Sequence, residues 1–463
     1  MTRRTPVTDR LGAKAYPESG MHPCVFVAVD RSVIFCDNMC NLTIYHRAMT
    51  PMMRLSEVQA YLQTHSYDGW LLYGFRQQNP IAIRAVGLAR AGSRRWFLWI
   101  PAEGRPSWLV HAIETHMFVD VVPELQGEML RYVSWQEMEE ALPQLIGARP
   151  GQSLRLLMEY SPRNAIPYTS TIDAGIKELV EDVTGARIES SADLVQQITA
   201  VLTPQQIASH RRAAAGCLAA KDAAFSFIGE RLAAGRPVNE FEVQEFIESK
   251  FAEYGLATGM TPLCAVNRNA ADPHYIPSAA HHSPIEIGDV VLIDLWSRTT
   301  DAPDDSFADI TWVGYCGERV PPKAQAIFDV VTAARDAAVA SIQERLDAGQ
   351  PAFGYAADDA ARSVIVEAGY GMGILHRTGH SLGPTGHWIG ANLDNLETQD
   401  RRPLIPGLMF TVEPGIYLPD FDFDESGRGK GLGLRSEINC LMHPDRVEIT
   451  TLPLQQTILP VLA

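Results

Sequence analysis

The sequence lacks the features that mark membrane, secreted and nucleic-acid-binding proteins. Its residues include no apolar run of roughly 18 or more, so no transmembrane helix is expected. The first residues contain no apolar segment of the kind found in a secretory signal. Lysine and arginine total 39 against 55 aspartates and glutamates, which gives a formal net charge of −16. We therefore expect neither a membrane nor a nucleic acid, whose backbone binds positive charge, as a partner.

Cysteine is also scarce in this chain of 463 residues. The seven cysteines are scattered and odd in number. This pattern does not form a disulfide framework and is typical of a reducing compartment, so we expect a cytoplasmic protein. Only Cys36 and Cys40 have a spacing that suggests a metal site, and no second pair lies nearby to complete it.

The hydrophobic pattern divides the chain into three parts. Residues 1–52 form an extension of uncertain structure, which is either a product of an upstream start codon or a family-specific arm. Residues 53–198 alternate helix and strand and predict a small α/β domain. The predicted elements are a helix through Leu55, Val58 and Leu62, strands at 69–73, 96–100 and 154–158, and helices near 135–146 and 172–184.

Residues 199–463 predict a second domain in which one order of elements occurs twice. A long helix begins at Pro204, where Thr203 and Gln206 form a capping box, and Asn239 caps a second helix. Strands are predicted at 289–295 and 310–315, then helices at 322–346 and 356–368, then strands near 408–413 and 435–441. Two helices followed by strands, repeated, indicate a domain built from two related halves.

Five side chains in this second domain form a candidate metal site. They are Asp294, Asp309, His380, Glu413 and Glu437. A single acid at a strand end is usually a surface residue or a helix cap, but four lie in apolar runs here, and buried carboxylates are costly unless they are paired or bind metal. Oxygen ligands with one imidazole suit a two-metal site holding manganese, cobalt, zinc or iron.

The order of these side chains, with Val-Glu-Pro-Gly around Glu413 and Arg-Ser-Glu around Glu437, resembles the ligand set of the pita-bread metallopeptidases. That family includes Xaa-Pro aminopeptidases, Xaa-Pro dipeptidases (prolidases), methionine aminopeptidases and the metal-free creatinase. The resemblance implies an α+β fold with an N-terminal creatinase-like α/β domain and a C-terminal pita-bread domain of pseudo-twofold α+β structure. It also implies two divalent ions per chain, manganese foremost. Asp294 would bind one ion, Asp309 and Glu437 would bridge both, and His380 and Glu413 would bind the other.

The resemblance assigns further roles. It implies that His274 and His387 are catalytic and that Glu413 transfers protons. Arg435, which we expect to hold Glu437, would join His376 and Tyr417 in binding substrate or supporting the ligands. The sequence departs from the family pattern in three places, which concern the subfamily. The gap between the two aspartates is longer, which predicts a lengthened loop at 299–307. Trp312 stands in place of a common arginine, and an arginine follows His376 in place of glycine.

The first domain favours the prolidase and aminopeptidase P branch over methionine aminopeptidase. The resemblance thus implies a homodimeric metallo-exopeptidase that cleaves Xaa-Pro peptides with a metal-bridging hydroxide as nucleophile. One alternative is a non-peptidase hydrolase or lyase on the same scaffold, acting on an ectoine-type amide, dimethylsulfoniopropionate or another small molecule. A non-enzymatic binding protein is a third interpretation, but such relatives tend to lose the metal ligands that are present here.

Overall fold

A computed structural model describes residues 53–88, 92–149, 151–259, 261–424 and 430–463. The predictions for residues 1–52, including those for Cys36 and Cys40, lie outside the described residues. Among the helices of the described ranges, none is long and apolar enough to cross a membrane. The predicted limits, 53–198 and 199–463, are kept below as names for the first and the second domain.

A mixed six-stranded sheet forms the centre of the first domain. Its strands follow the spatial order β4-β3-β2-β1-β5-β6. They are β1 (Gly69–Gly74), β2 (Trp96–Pro101), β3 (Ser107–His111), β4 (Glu128–Tyr132), β5 (Arg155–Met158) and β6 (Arg187–Ser190). The helices are α1 (Leu55–Thr64), α2 (Pro80–Val86), α3 (Trp135–Leu145) and α4 (Ala174–Thr184). Strand β2 is antiparallel to β1 and β3, whereas the other three pairings are parallel.

Both faces of this sheet are covered, which explains the continuous apolar runs of its central strands. Successive side chains of a strand point to opposite faces. Trp70 and Leu72 accordingly belong to one hydrophobic core, while Leu71 and Tyr73 belong to another on the opposite face.

A short helical segment connects the two domains. Helix α5 (Ala192–Val195) continues into a wider helical turn at Gln196–Ala200. The buried amide of Gln196 donates to the carbonyl of Pro403 at 2.9 Å and accepts from the backbone N–H of Ala391 at 2.7 Å. The connection is therefore bonded to the second domain rather than free of it.

The described part of the second domain contains four α-helices and three sheets. The helices are α6 (Pro204–Ala233), α7 (Glu240–Glu253), α8 (Pro322–Asp347) and α9 (Gly354–Glu367). The strands are β7 (Leu256–Ala257), β8 (Leu263–Val266), β9 (Val290–Thr299), β10 (Ala308–Tyr315), β11 (Ser381–Leu382), β12 (Met409–Val412), β13 (Gly415–Leu418), β14 (Leu432–Arg435), β15 (Ile438–Met442), β16 (Val447–Ile449) and β17 (Leu459–Pro460). The first sheet has the strand order β17-β10-β9-β7, and β8 also pairs with β9. The second sheet has the order β11-β12-β15-β16, and the third consists of β13 and β14.

The helix boundaries agree with the sequence signals. Thr203 and Gln206 form the predicted capping box of α6, and Asn239 caps α7 through the backbone N–H of Glu242. The order of two helices followed by strands occurs twice, as predicted. A loop at 300–307 connects the antiparallel partners β9 and β10, where one was predicted, and its lengthening relative to the family stays a prediction.

Two strand predictions were wrong in detail. Strand β9 continues beyond residue 295 to Thr299, because it pairs with β10 as far as Ser297 and with β7 at Arg298 and Thr299, so Asp294 lies inside the strand. The single strand predicted at 435–441 is two strands, β14 and β15, which belong to different sheets. Ser436 and Glu437 occupy the break between them.

Candidate metal centre

The long β9–β10 pair brings the two aspartates to one face of a sheet. Thr311 lies directly opposite Asp294 in the antiparallel register. Asp309 precedes Thr311 by two residues, so both side chains of β10 point to the same face as Asp294. The three polar side chains are buried.

The four-stranded sheet supplies His380 and Glu413. His380 lies immediately before β11, and Glu413 follows β12. Thr411 links them, because its hydroxyl oxygen accepts from the backbone N–H of His380 at 2.9 Å and its proton is donated to Oε1 of Glu413 at 3.0 Å. The sheet therefore fixes the distance between the imidazole and this carboxylate.

Glu437 joins the two sheets from the break between β14 and β15. Its Oε2 accepts a hydrogen bond from Oγ1 of Thr311 at 2.7 Å. Two residues later, the Asn439 amide forms a pair of hydrogen bonds with the backbone of Asp309, at 2.6 and 2.9 Å. These bonds hold Glu437 beside Asp309.

The side-chain atoms converge on a space of the size of a metal site. One ligand atom each from Asp309, His380 and Glu437 lies within 4.8 Å of the others. Nε2 of His380 is 3.3 Å from Oε1 of Glu413 and 3.8 Å from Oδ2 of Asp309. The carbonyl of Ser381 lies 3.2 Å from Nδ1 of His380, which places the ring proton on Nδ1 and leaves the Nε2 lone pair facing the acids.

The cluster is electrostatically unfavourable as a set of bare side chains. Burial, followed by the charges of Asp294 and Glu413, raises the pKa of Asp309 well above its usual value. Burial and the charge of Asp309 do the same to the pKa of Glu437. Burial, with the nearby Arg377, lowers the pKa of His380 to about 3.

One oxygen of Asp309 shows most clearly what the cluster lacks. Oδ1 of Asp309 is buried, and no described residue donates a hydrogen bond to it. Buried polar atoms without a partner are rare in native proteins and call for an explanation. Carboxylate oxygens and one neutral imidazole fit divalent cations, which would partner this oxygen and offset the negative charge.

Arg435 is a cation in contact with the candidate ligands, and its partner differs from the one expected. Its Nη2 pairs with Oδ2 of Asp294, and its Nε donates to Oγ1 of Thr311 at 2.8 Å. Glu437, the expected partner, is linked to Arg435 through the hydroxyl of Thr311. The arginine side chain reaches across to β9 because Asp294 lies inside that strand and opposite Thr311.

His387, His376 and Tyr417 lie around the cluster. The rings of His387 and His380 meet edge to face, with 4.1 Å between their centroids. His387 is exposed to solvent. Nε2 of His376 lies 2.7 Å from the hydroxyl of Tyr417, which in turn lies 3.4 Å from Nη1 of Arg435. Burial raises the pKa of Tyr417 to about 12, so its hydroxyl keeps its proton at neutral pH.

His274 is the predicted site residue that the structure does not join to the others. It is exposed, and its described hydrogen bond runs from its backbone N–H to Asp272 at 3.1 Å. No described contact links its imidazole to the cluster. Its catalytic role stays a prediction.

Sequence reasoning missed three side chains that hold the ligands. Thr311, Thr411 and Asn439 make hydrogen bonds to the ligand residues or to their backbones. Each lies two residues from a predicted ligand along an extended segment, so it shares a face with that ligand or lies next to it. Polar residues two positions from Asp309, Glu413 and Glu437 were the signal that could have found them.

Comparisons with known proteins relate the chain to a metallopeptidase family. The model of metallopeptidase family M24 matches residues 208–444. The Xaa-Pro dipeptidase of Lactobacillus delbrueckii subsp. lactis is 30% identical over 166 residues, which cover 36% of this chain and 40% of that protein. The matched segments span less than half the length of this relative and of two other curated relatives.

Solved structures match over a longer part of the chain. Dipeptidase PepE from Mycobacterium ulcerans has a TM-score of 0.63 at 19% identity and covers 88% of this chain and 96% of its own. X-Pro aminopeptidase from Thermotoga maritima has a TM-score of 0.55 at 20% identity and covers 88% and 99%. These likenesses confirm the predicted fold, a creatinase-like α/β domain followed by a pita-bread domain. Because the family model spans half of the sequence and includes all five candidate ligands, the chain belongs to metallopeptidase family M24.

Proposed function

We propose that the protein is a hydrolase that requires two divalent metal ions and cleaves Xaa-Pro peptides. The observation that carries the proposal is the convergence of Asp309, His380 and Glu437 with a buried carboxylate oxygen that has no hydrogen-bond donor. The names of the relatives, Xaa-Pro dipeptidase and X-Pro aminopeptidase, support the choice of substrate.

The five proposed ligands would be shared between the two ions. Asp309 and Glu437, at the junction of the two sheets, would bridge the ions. Asp294 would bind one ion from β9, and His380 with Glu413 would bind the other from the opposite sheet. Bound divalent ions would lower the pKa of water and polarise the scissile carbonyl. Manganese is the metal we expect, with cobalt, zinc or iron as alternatives.

The chain's own side chains would orient the substrate and move protons. Glu413, held by Thr411, would accept a proton from water and deliver it to the leaving amine. His387 would donate a hydrogen bond to the oxyanion as it develops, from a ring next to His380. Arg435 would keep the carboxylate of Asp294 in place through their ion pair. Tyr417 and His376, which are hydrogen-bonded to each other, would line the substrate side of the site.

Two further expectations concern the whole protein. We propose that it forms a homodimer and that it acts in the cytoplasm on small peptides. The choice between dipeptidase and aminopeptidase depends on how long a substrate the site accepts. Similar solved structures include an Xaa-Pro dipeptidase from Bacillus anthracis and the X-Pro aminopeptidase from Thermotoga maritima.

The test is hydrolysis by metal-stripped protein after reloading with manganese. Ala-Pro, Ala-Pro-Ala and the control Ala-Ala would be offered in parallel, with product amines measured by chromatography. We expect metal-dependent cleavage of Ala-Pro or Ala-Pro-Ala and little cleavage of Ala-Ala. Absence of cleavage in all three, with turnover of an ectoine-type amide or dimethylsulfoniopropionate, would contradict the peptidase assignment and support the alternative.

A further inference from the structure

The orientation of His387 depends on the loop that carries it. Loop 383–390 follows β11, and the His387 ring contacts that of His380. Among the described residues, none forms a hydrogen bond with the His387 imidazole; the described bond of this residue joins its carbonyl to the Thr385 hydroxyl at 2.7 Å. The position of this imidazole therefore depends on the loop backbone, on the neighbouring residue and on the ring of His380.

That neighbour, Trp388, is held from several sides. Its backbone N–H donates to the carbonyl of Ser381 at 2.8 Å, and its indole N–H donates to the carbonyl of Thr199 at 3.1 Å. A Cβ at Gly383 would approach the indole ring to 2.6 Å, so the ring packs directly on the loop's own backbone. Trp388 is thus the fixed point of the loop next to His387.

A further contact with the indole comes from the first domain. The guanidinium carbon of Arg84, on α2, lies 4.4 Å from the centroid of the Trp388 ring. Arg84 is half-buried, and no carboxylate of the described residues pairs with it. A partly buried cation is costly without compensation, and the face of a tryptophan ring supplies it. The arrangement indicates that the arginine is stabilised by this ring.

We propose that Arg84 is a positioning residue that acts through Trp388 to hold His387 in place for catalysis. The inference rests on the proposed function, in which His387 stabilises the oxyanion. Arg84 itself touches neither the ligands nor the substrate space in the described contacts. The first domain would in this way affect turnover through one arginine–tryptophan contact.

Kinetics of Arg84→Met provide the first test. The substitution keeps side-chain length and removes the charge, and Arg84→Lys keeps a charge that the ring still attracts. Arg76→Met is the matched control, because the guanidinium of Arg76 stacks on Phe75, 5.3 Å from its centroid, within the first domain. We expect Arg84→Met to lower kcat on the order of tenfold with KM and metal content unchanged. Arg84→Lys should lower it less, and Arg76→Met should not change it.

A double-mutant comparison decides whether the effect passes through His387. Added to His387→Ala, Arg84→Met should cause no further loss of kcat, because the group that it positions is already absent. An equal fall of kcat in both backgrounds, or an unchanged kcat in the single variant, would overturn the proposal.

Amide hydrogen exchange tests the contact without any substrate. Peptides covering 383–390 should exchange faster in Arg84→Met than in the wild type, and not in Arg76→Met. Unchanged exchange would overturn the proposal even if the enzyme is active. Failure of the wild type to cleave any Xaa-Pro peptide would instead contradict the proposed function, and the exchange result would still decide on the Arg84 contact.

Discussion

Two buried carboxyl groups of this chain differ in what surrounds them. Glu159, at the end of β5 in the first domain, accepts hydrogen bonds from Trp70 at 2.6 Å, Asn79 at 2.8 Å and Ser191 at 3.3 Å. Asp309 is also buried, but its Oδ1 has no donor among the described residues, and other carboxylates lie nearby. Burial alone therefore does not mark a functional acid. The absence of protein donors, together with like charges, is what distinguishes Asp309.

The largest effect is expected from Asp309→Ala. A carboxylate that bridges two ions contacts both, so its loss should weaken both positions and lower activity by several orders of magnitude. Glu159→Gln is the control at the other buried acid and should leave turnover unchanged. Steady-state kinetics at saturating manganese would measure both. If Asp309→Ala kept more than about a tenth of wild-type turnover, the bridging role would be wrong.

Substitutions of His380 and His387, whose rings are in contact, should distinguish a metal ligand from a catalytic group. His387→Ala should lower kcat by about a hundred- to a thousandfold while metal content stays normal, because an oxyanion donor acts in the transition state. His380→Ala should lose metal, and excess metal should restore part of its activity. Kinetics with elemental analysis of both variants would check this. Loss of metal in His387→Ala, or a kcat within a factor of about three of wild type, would contradict these roles.

A smaller effect is expected from the threonine that supports the carboxylates. Thr311→Val removes the hydroxyl that contacts Asp294, Glu437 and Arg435, at 2.7 to 2.9 Å. Loss of such supporting bonds typically costs on the order of ten- to a hundredfold in metal affinity. Manganese titration by calorimetry would measure the change, and Thr311→Ser, which keeps the hydroxyl, should bind nearly as well as the wild type. Equal affinities for the valine and wild-type proteins would show that these bonds do not support the site.

The smallest effect on activity, and a clear one on stability, is expected at Glu159. Burial raises the pKa of its carboxyl to about 7, although its three donors oppose the shift. Between pH 4.5 and 7 the unfolded chain releases this proton while the folded chain keeps it, so folding stability falls as pH rises. The free energy of unfolding of the wild type should drop by about 3 kcal/mol relative to Glu159→Gln across this window.

Denaturant unfolding of metal-free protein at several pH values would test this difference. The exposed Glu178 on α4 offers a control, and Glu178→Gln should show no such pH-dependent difference. A constant difference between the wild type and Glu159→Gln from pH 4.5 to 8 would mean that Glu159 is ionised in the folded protein.

The sequence predicted those elements whose signals are local. The capping box at Thr203 and Gln206 marked the start of α6, and short continuous apolar runs marked β1 and β2. The break at Glu437 and the extension of β9 to Thr299 depend on pairing with distant strands, which no local pattern contains. The sequence also did not predict several shorter strands, namely β3, β4, β6, β7, β8, β13, β16 and β17.

The candidate site shows the same division. The five proposed ligands were found from their order along the chain, and the structure brings their segments together. The pairing of Arg435 with Asp294 was not predicted, because it depends on which residue lies opposite in a neighbouring strand. The exposure of His274 could not be predicted either, since spacing along the chain does not determine distance across a loop.

Manganese titration of the metal-stripped protein by calorimetry tests the central claim most directly. The account predicts binding of about two ions per chain in the wild type and in Glu159→Gln, with binding weakened at both positions in Asp309→Ala. Absence of binding in the wild type, for manganese as well as for cobalt, zinc and iron, would contradict it. Equal binding by Asp309→Ala would show that the buried oxygen without a donor is not part of the metal site.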